Sequence, residues 1–377
     1  MLKIDYQTTI IEPVTSKEFI DYVYNKNIYP LHVQFLSTEF DEITKEVKSR
    51  YERNRLEPIN VFVYAMFALK QAYGPADEEA IKNLLEANFL NSNGDFELLY
   101  GEIVGSENPE IAAEMFEKAI AKGNAYASCL LTNYYVFGVY GNKKDYKKAL
   151  EIATAEYKRS HYPEIIYYLA SMYRLGIGVE INKEKAFELC KEGAEQNHAK
   201  SIYELARMID ENDDMKSHEE AFELYLKAAE LGSPYALSLV TEAYYNGERP
   251  GVKQDEEKAF KYARLGYILN SVSCSITFAS CIYQGHGVQQ DKEIAKQILI
   301  EMANNGIYQA ATALALLLDA DHYEDKDLIF KLLAKATSMG DEAAVIYLND
   351  VYNNKKYGTQ REYEKAINAY NELKGIN

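Results

Sequence analysis

The sequence predicts an all-α protein: a right-handed α-solenoid of antiparallel helix pairs with a period of about 36 residues. Two series of core-type residues and a recurring pattern of helix-ending residues predict this fold. In the first series, an apolar residue follows a charged segment every 34 to 38 residues. Its members are Ala112, Ala149, Ala186, Ala221, Ala259, Ala295, Ile329 and Ala366. A period this regular, and too short for a domain, indicates stacked helical repeats.

The second series lies out of phase with the first and defines the first helix of each repeat. Its members are Leu131, Leu169, Leu205, Val240, Phe278, Leu314 and Leu348. Four residues before each member stands a mostly small residue, for example Ala127, Ser201 or Cys274. Because positions four apart share one helix face, each first helix is expected to bury this stripe.

Recognisable residues separate the two helices of a repeat. Glycines follow the first helix, as at Gly176 and Gly285, and a carboxylate opens the second, as at Asp255 and Asp291. Glycine readily adopts the left-handed conformation that ends a helix, and aspartate caps the free amides of the next. The second helix is expected to end at Gly123, Gly232, Gly306, Gly340, Asn197 or Asn270. Each repeat is therefore predicted to be a helical hairpin.

Residues 162–197 and 273–306 fit the pattern A-x-x-x-L-A/G-x-x-Y-x-x-G-x-G-V, followed by D-x-x-K-A and A-x-x-G. This pattern resembles the Sel1-like repeat, a relative of the tetratricopeptide repeat with a longer, glycine-rich loop. The resemblance covers residues 108–377. The repeats beginning at Ala199 and Tyr308 depart from it, because acidic residues replace the glycine loop. The resemblance implies a protein-binding solenoid whose first helices line a concave surface.

Residues 1–107 form a divergent helical region that we interpret as degenerate repeats continuing the stack. Ile43 and Ala80 extend the first series backwards, and residues 61–69 would form the first helix of the Ala80 repeat. Residues 1–13 are expected to be an extended lead-in. A separate N-terminal domain remains the alternative, although no stretch rich in proline, glycine or serine marks a boundary.

Composition favours a cytoplasmic protein with a protein or peptide partner. The chain carries 58 acidic and 41 basic side chains, for a formal net charge of −17. This charge disfavours nucleic acid and anionic membranes as partners and favours a basic protein or peptide. The alternative explanation of the charge is that it serves only to keep the protein in solution. There is no apolar run of membrane-spanning length, and the first residues lack the pattern of a signal peptide.

No motif for catalysis, a cofactor or a metal is present, so we expect the protein not to be an enzyme. The six histidines are scattered, and the four cysteines are expected to be free and buried. Acidic residues at 210–214 and 319–327 lack the glycine and glutamate of a calcium loop. We therefore interpret them as helix-capping carboxylates.

Candidate partner-binding residues follow from projecting each first helix. Positions two before, two after and five after the second-series residue lie opposite the buried stripe. From this face we select Tyr167, Arg174, Tyr203, Arg207, Glu242, Tyr245, Tyr283 and Asp350. Tyrosine and arginine are enriched at protein–protein hot spots, although a chain with 33 tyrosines places some on any surface.

These observations predict a non-enzymatic adaptor or scaffold that binds a partner protein or peptide on its concave face. The alternative is an immunity-type inhibitor that masks a basic toxin or effector protein, because strong negative charge accelerates the encounter with a cationic enzyme. The sequence alone does not separate these two functions.

Overall fold

A computed structural model describes residues 37–69, 77–139, 143–211, 215–355 and 357–375. Within these ranges the chain forms nineteen α-helices and no β-strand, which confirms the all-α prediction. The predicted lead-in at residues 1–13 lies outside the described residues.

The chain divides into two compact units, one ending at Ser233 and the other beginning at Pro234. The helices of unit 1 are α1 (Ser37–Arg53), α2 (Pro58–Leu69), α3 (Glu78–Glu86), α4 (Asp95–Val104), α5 (Pro109–Ala121), α6 (Ala125–Asn133), α7 (Tyr146–Ser160), α8 (Pro163–Leu175), α9 (Lys183–Glu195), α10 (Ala199–Asp210) and α11 (Met215–Glu230). The helices of unit 2 are α12 (Pro234–Asn246), α13 (Glu256–Ile268), α14 (Val272–Gln284), α15 (Lys292–Asn304), α16 (Tyr308–Ala320), α17 (Lys326–Ser338), α18 (Glu342–Asp350) and α19 (Gln360–Lys374). From α4 onwards, even-numbered helices are the first helices of pairs and odd-numbered helices are the second.

A recurring backbone hydrogen bond closes the hairpin of each well-formed pair. The N–H of the capping residue before the second helix donates to a carbonyl near the end of the first. This bond joins Asp145 to Tyr135, Asn182 to Tyr173, Asp255 to Tyr244 and Asp291 to Ile282, at 2.8 to 2.9 Å. The side chain of the same residue caps the second helix, as where Asp255 Oδ1 accepts from the N–H of Lys258. The predicted role of these carboxylates is confirmed.

The two predicted series of core residues are buried as expected. Every member of the first series is at most 4% exposed, and the second series is buried except for Phe278. Phe278 is half-buried and stacks on Phe260 and Tyr267. In the N-terminal region, α2 covers the apolar segment predicted as a first helix, and Ile43 is buried on α1. Ala80 is exposed near the start of α3, where Ile81 is buried instead, so the predicted extension of the first series to Ala80 is wrong.

The predicted helix-ending residues all have positive φ angles. Asn197 and Asn270 reach φ values of 56° and 58°, as glycine does at the corresponding positions of other repeats. His161 performs the same role after α7, with φ of 49°, which the sequence did not indicate. Asparagine and histidine both adopt this conformation more often than most residues other than glycine, asparagine because its short polar side chain bonds locally.

The second glycine of the loop between paired helices lies against the preceding repeat. A Cβ at Gly178 would stand 2.3 Å from the backbone oxygen of Tyr146, at the start of α7. Such a distance leaves no room for any side chain. The G-x-G loop is therefore a contact between repeats as well as a turn within one.

Consecutive first helices pack directly against one another within each unit. In unit 1, α6 contacts α8 and α8 contacts α10; in unit 2, α12, α14, α16 and α18 form the same series. Second helices pack mainly against first helices, apart from α17 against α19 at the C-terminal end. The first helices of each unit therefore form a continuous row of packed helices.

Candidate partner-binding surface

The first-helix face of unit 1 is the accessible side of α4, α6, α8 and α10. Two predicted residues meet there on one carboxylate, that of Glu204 in α10. Arg174 Nε of α8 lies 3.4 Å from Glu204 Oε2, and Arg207 Nη1 of α10 lies 3.4 Å from Glu204 Oε1. Glu204 is buried, whereas Arg174 and Arg207 keep 20% and 37% of their side chains exposed. The cluster thus presents two guanidinium groups against one carboxylate.

Tyr167 lies beside a second ionic cluster on the same face. Glu164, one turn earlier on α8, accepts from Lys200 Nζ at 2.6 Å and pairs with His198 Nε2 at 3.0 Å. Desolvation alone would raise the pKa of Glu164, but the His198 hydrogen bond and the Lys200 ammonium outweigh it and lower the pKa to about 2. Lys200 Nζ also lies 5.7 Å from the centre of the Tyr167 ring. The Tyr167 ring therefore borders a fixed, fully ionised group.

Tyr203 lies between the helices of one pair. Its ring is 5.5 Å from that of Tyr225 on α11, at a tilt of 53°. Tyr203 is half-buried, so part of its ring remains open to solvent one turn before Arg207. The structure thus places Tyr203, Arg174 and Arg207 on neighbouring helices α8 and α10.

The four predicted residues of unit 2 do not contact one common group among the described residues, and the two tyrosines have different neighbours. Tyr283 is only 4% exposed, and its hydroxyl donates to Asp321 Oδ2 at 3.2 Å, which leaves little of it for a partner. Burial and the Asp321 carboxylate raise the pKa of Tyr283 to about 12. The hydroxyl of Tyr245 donates to Gln284 Oε1 at 2.7 Å and joins α12 to α14.

The other two predicted residues of unit 2 are carboxylates. Glu242 on α12 is exposed. Asp350 at the end of α18 accepts from Asn354 Nδ2 at 2.8 Å and lies 3.6 Å from Lys355 Nζ. Lys355 also pairs with Asp319, so Asp350 belongs to a small ionic cluster near the C-terminal end. In unit 1, two predicted arginines contact the same residue, Glu204. The four predicted side chains of unit 2 share no such residue among the contacts described.

The projection missed several side chains that bond between first helices. Asn133 Nδ2 donates to the Tyr168 hydroxyl at 2.6 Å, and Glu164 and Glu204 accept the cations described above. Tyr168 and Glu204 stand one residue before the second-series leucine, and Glu164 stands five before it. A projection centred three residues earlier on each helix would have selected Glu164, Tyr168 and Glu204. Asn133, two residues after Leu131, lies on the projected face but was not selected.

Two other kinds of site are absent from the ranges that the structure describes. No three histidine, cysteine, aspartate or glutamate side chains there come together as a metal site requires. None of the described helices has the length and apolar composition needed to cross a membrane. All four cysteines are buried with free thiols, as expected from the sequence.

Comparison with protein families identifies the repeat. The family model described as "Sel1 repeat" matches residues 94–124, 163–198, 199–233, 235–271 and 279–307. These segments correspond to the helix pairs α4–α5, α8–α9, α10–α11, α12–α13 and α14–α15. The first match begins inside residues 1–107, the region interpreted as degenerate repeats, and ends at residue 124.

Individual proteins share parts of the chain. "Protein sel-1 homolog 2" of Rattus norvegicus is 31% identical over 125 residues, which are 31% of this chain and 18% of that protein. "Chitin synthase regulator SKT5" of Saccharomyces cerevisiae is 24% identical over 291 residues, covering 74% of this chain and 41% of that protein. The matched part therefore spans less than half the length of either relative. Among solved structures, a Sel1 repeat protein from Oxalobacter formigenes is 23% identical, with a TM-score of 0.47, and covers 65% of this chain and 97% of that one.

Proposed function

Because this chain is a Sel1 repeat protein, we propose that it is a non-enzymatic adaptor that binds a partner protein or peptide on the first-helix face. The observation that carries this proposal is the meeting of Arg174 and Arg207 on Glu204, beside Tyr203. Arginine and tyrosine gathered on one face, around a desolvated charge, are the composition of a binding hot spot. The name of the yeast relative, a chitin synthase regulator, supports the same class of role.

The chemistry of the face specifies the partner in part. The net charge of −17 favours a partner that is basic overall. The arginine cluster carries one positive charge more than Glu204 neutralises, so it suits a carboxylate or an aromatic side chain of that partner. A cytoplasmic location, expected from the sequence, belongs to the same proposal.

Site-specific photo-crosslinking tests where the partner binds. Benzoylphenylalanine placed at Tyr203 should crosslink the partner in cell extract, whereas the same residue at Tyr146, an exposed position on second helix α7, should not. The purified partner is then titrated calorimetrically. Tyr203→Ala combined with Arg207→Ala should weaken binding by roughly 2 to 4 kcal/mol. Equal crosslinking from both positions, or unchanged affinity in this double variant, would refute the assignment of the first-helix face.

Matched substitutions on second helices provide the control for that double variant. Tyr146→Ala combined with Arg264→Ala removes the same residue types and the same charge from α7 and α13. This control should retain full affinity. Since charge steering is screened over about 10 Å at 0.1 M salt, raising the salt concentration should slow association more than it speeds dissociation. An association rate independent of salt would contradict the charge argument.

The charge also favours a second function, that of an immunity-type inhibitor of a basic toxin or effector protein. Both functions predict a basic partner, but only the inhibitor abolishes an activity of that partner. Expression of the crosslinked partner alone and together with this chain separates them. Toxicity that coexpression relieves would select the inhibitor, and a harmless partner would select the adaptor.

A further inference from the structure

The contacts between consecutive repeats show which helix positions face the following repeat. On the second helix, one such position lies seven residues after the first-series residue. A Cβ at Gly193 in α9 would stand 2.3 Å from Ser201 Oγ on α10, and a Cβ at Gly266 in α13 would stand 2.2 Å from Cys274 Cβ on α14. Each contact reaches the first helix of the next pair.

On the first helix, the corresponding position lies two residues before the second-series residue. Ser238 Oγ of α12 lies 3.1 Å from Ser271 Oγ, just before α14. Thr312 Oγ1 of α16 donates to Asp341 Oδ2, just before α18, at 2.6 Å. The two positions together belong to the end surface of a pair, on which the next pair stacks.

In α18–α19, the last pair of the described residues, both positions are apolar and open to solvent. Ile346 on α18 is 67% exposed and Leu373 on α19 is 62% exposed, and Tyr347 beside Ile346 is exposed as well. Val345 and Tyr370 are half-buried, although the same positions are buried in all six preceding pairs. These five side chains are called the α18–α19 end surface below.

This composition differs from that of a terminal repeat in an ordinary array. Such a repeat has a polar outer face, because an exposed apolar end promotes association. Four of the six preceding pairs have glycine or alanine at the position of Leu373, and the next helix can therefore approach closely. Leu373 fills that space. The surface is therefore better suited to a partner that meets α19 at a greater distance than the next helix of a regular stack.

The charge of this end favours a second copy of the chain as the occupant. Residues 342–374 carry five acidic and five basic side chains, whereas the whole chain has a net charge of −17. Two copies therefore repel one another over most of their surface but not at this neutral end. Lys374 Nζ of α19 also pairs with Glu342 Oε1 of α18 at 2.8 Å, which neutralises both groups. A two-fold axis would place the end surface of one copy against the identical surface of the other.

We propose that the α18–α19 end surface is a site of self-association, at which two copies of this chain meet end to end about a two-fold axis. Removal of Ile346, Tyr347 and Leu373 of both copies from water provides the attraction. The inference goes beyond the proposed adaptor function, since it involves neither the first-helix face of unit 1 nor a different protein.

Sedimentation velocity of the purified full-length protein tests the association. The unmodified protein should shift from monomer to dimer between about 1 µM and about 100 µM. Ile346→Lys combined with Leu373→Lys should weaken association at least about a hundredfold and leave a monomer throughout. The matched control is Ile181→Lys combined with Leu175→Lys, which adds the same charge at apolar side chains that are 64% and 53% exposed. This control should dimerise as the unmodified protein does.

Photo-crosslinking locates the contact independently of these variants. Benzoylphenylalanine in place of Ile346 should give a covalent dimer of the purified protein, with crosslinked peptides from α18 or α19 of the second copy. Crosslinks that reach only other helices of the second copy, or no covalent dimer, would overturn the proposal. A monomer at every concentration, or equal loss of the dimer in both double variants, would do the same. The crosslinking at Tyr203 tests the adaptor function separately, because it detects a different protein on a different surface.

Discussion

Gly287 and Glu256 are in direct contact between two consecutive repeats of unit 2. A Cβ at Gly287 would lie 2.3 Å from the backbone oxygen of Glu256, and the φ angle of this glycine is +69°. The loop of the α14–α15 pair is thereby pressed against the start of α13. Gly178 and Tyr146 show the same relationship in unit 1. The contact explains why this position of the repeat is a glycine.

Substitution of this glycine should destabilise the protein through two separate effects. Gly287→Ala should cost roughly 3 kcal/mol, about 1 from the left-handed backbone and the rest from the clash. Gly306→Ala is the matched control, because its φ is +86° but no atom lies within 4 Å of an added Cβ. That control should cost only about 1 kcal/mol. Urea unfolding of both variants measures the difference, and equal losses would argue against the contact.

Charges introduced into the stacking core should be strongly destabilising. Leu169 is 2% exposed in unit 1 and Ala259 is 0% exposed in unit 2. Leu169→Asp or Ala259→Asp would bury a carboxylate without a partner, at a cost of roughly 4 kcal/mol or more. Thermal melts followed by circular dichroism check this prediction. A melting temperature within a few degrees of the unmodified protein would contradict it.

Glu102 should make stability depend on pH in the direction opposite to a typical surface carboxylate. Glu102 lies on α4, and desolvation raises its pKa to about 7 in the folded protein, against an ordinary value of 4.5. Between these values the folded state holds a proton that the unfolded state has lost. Stability from this group therefore falls as the pH rises from 4.5 to 7 and is constant above. Glu102→Gln removes that loss. The melting temperature of this variant should exceed that of the unmodified protein by an amount that grows between about pH 4.5 and pH 7 and stays constant above.

The Glu107→Gln variant controls for the change in net charge. Glu107 lies in the exposed loop after α4. If the two variants showed the same dependence on pH, the raised pKa of Glu102 would be wrong.

The thiols should be inert in the folded protein. All four cysteines are buried, and desolvation raises the pKa of both Cys190 and Cys281 to about 12. Since the thiolate is the reactive form, a disulfide reagent at pH 8 should label none of them within an hour. In guanidinium chloride all four should react. Rapid labelling of the native protein would show that one of these helices opens readily.

Most of the fold could be predicted from the sequence because the same local sequence signals recur in each repeat. Spacings of four residues mark the buried stripes, and glycine, asparagine and aspartate mark the helix ends, so each hairpin follows from its own residues. His161 is an exception, since histidine is a weaker signal than glycine for the left-handed conformation that it adopts after α7.

The candidate site could be predicted only in part. Helical projection identifies which residues share a face, and it placed Arg174 and Arg207 correctly on neighbouring helices. It does not give the rotation of one helix against the next, and that rotation brings Glu204 between the two arginines. In unit 2, Tyr283, which the projection had placed on the accessible side, is buried and bonds Asp321 just after α16. Contacts between repeats thus depend on packing that no single repeat encodes.

Single side-chain bonds join consecutive first helices at intervals of about one repeat. Asn133 with Tyr168, Arg174 with Glu204, and Tyr245 with Gln284 are three of them. Two of these bonds use residues that are also candidates for contact with a partner. A partner that binds the guanidinium of Arg174 would break an ion pair between α8 and α10. Binding at this surface would therefore also lower the mechanical stiffness of unit 1.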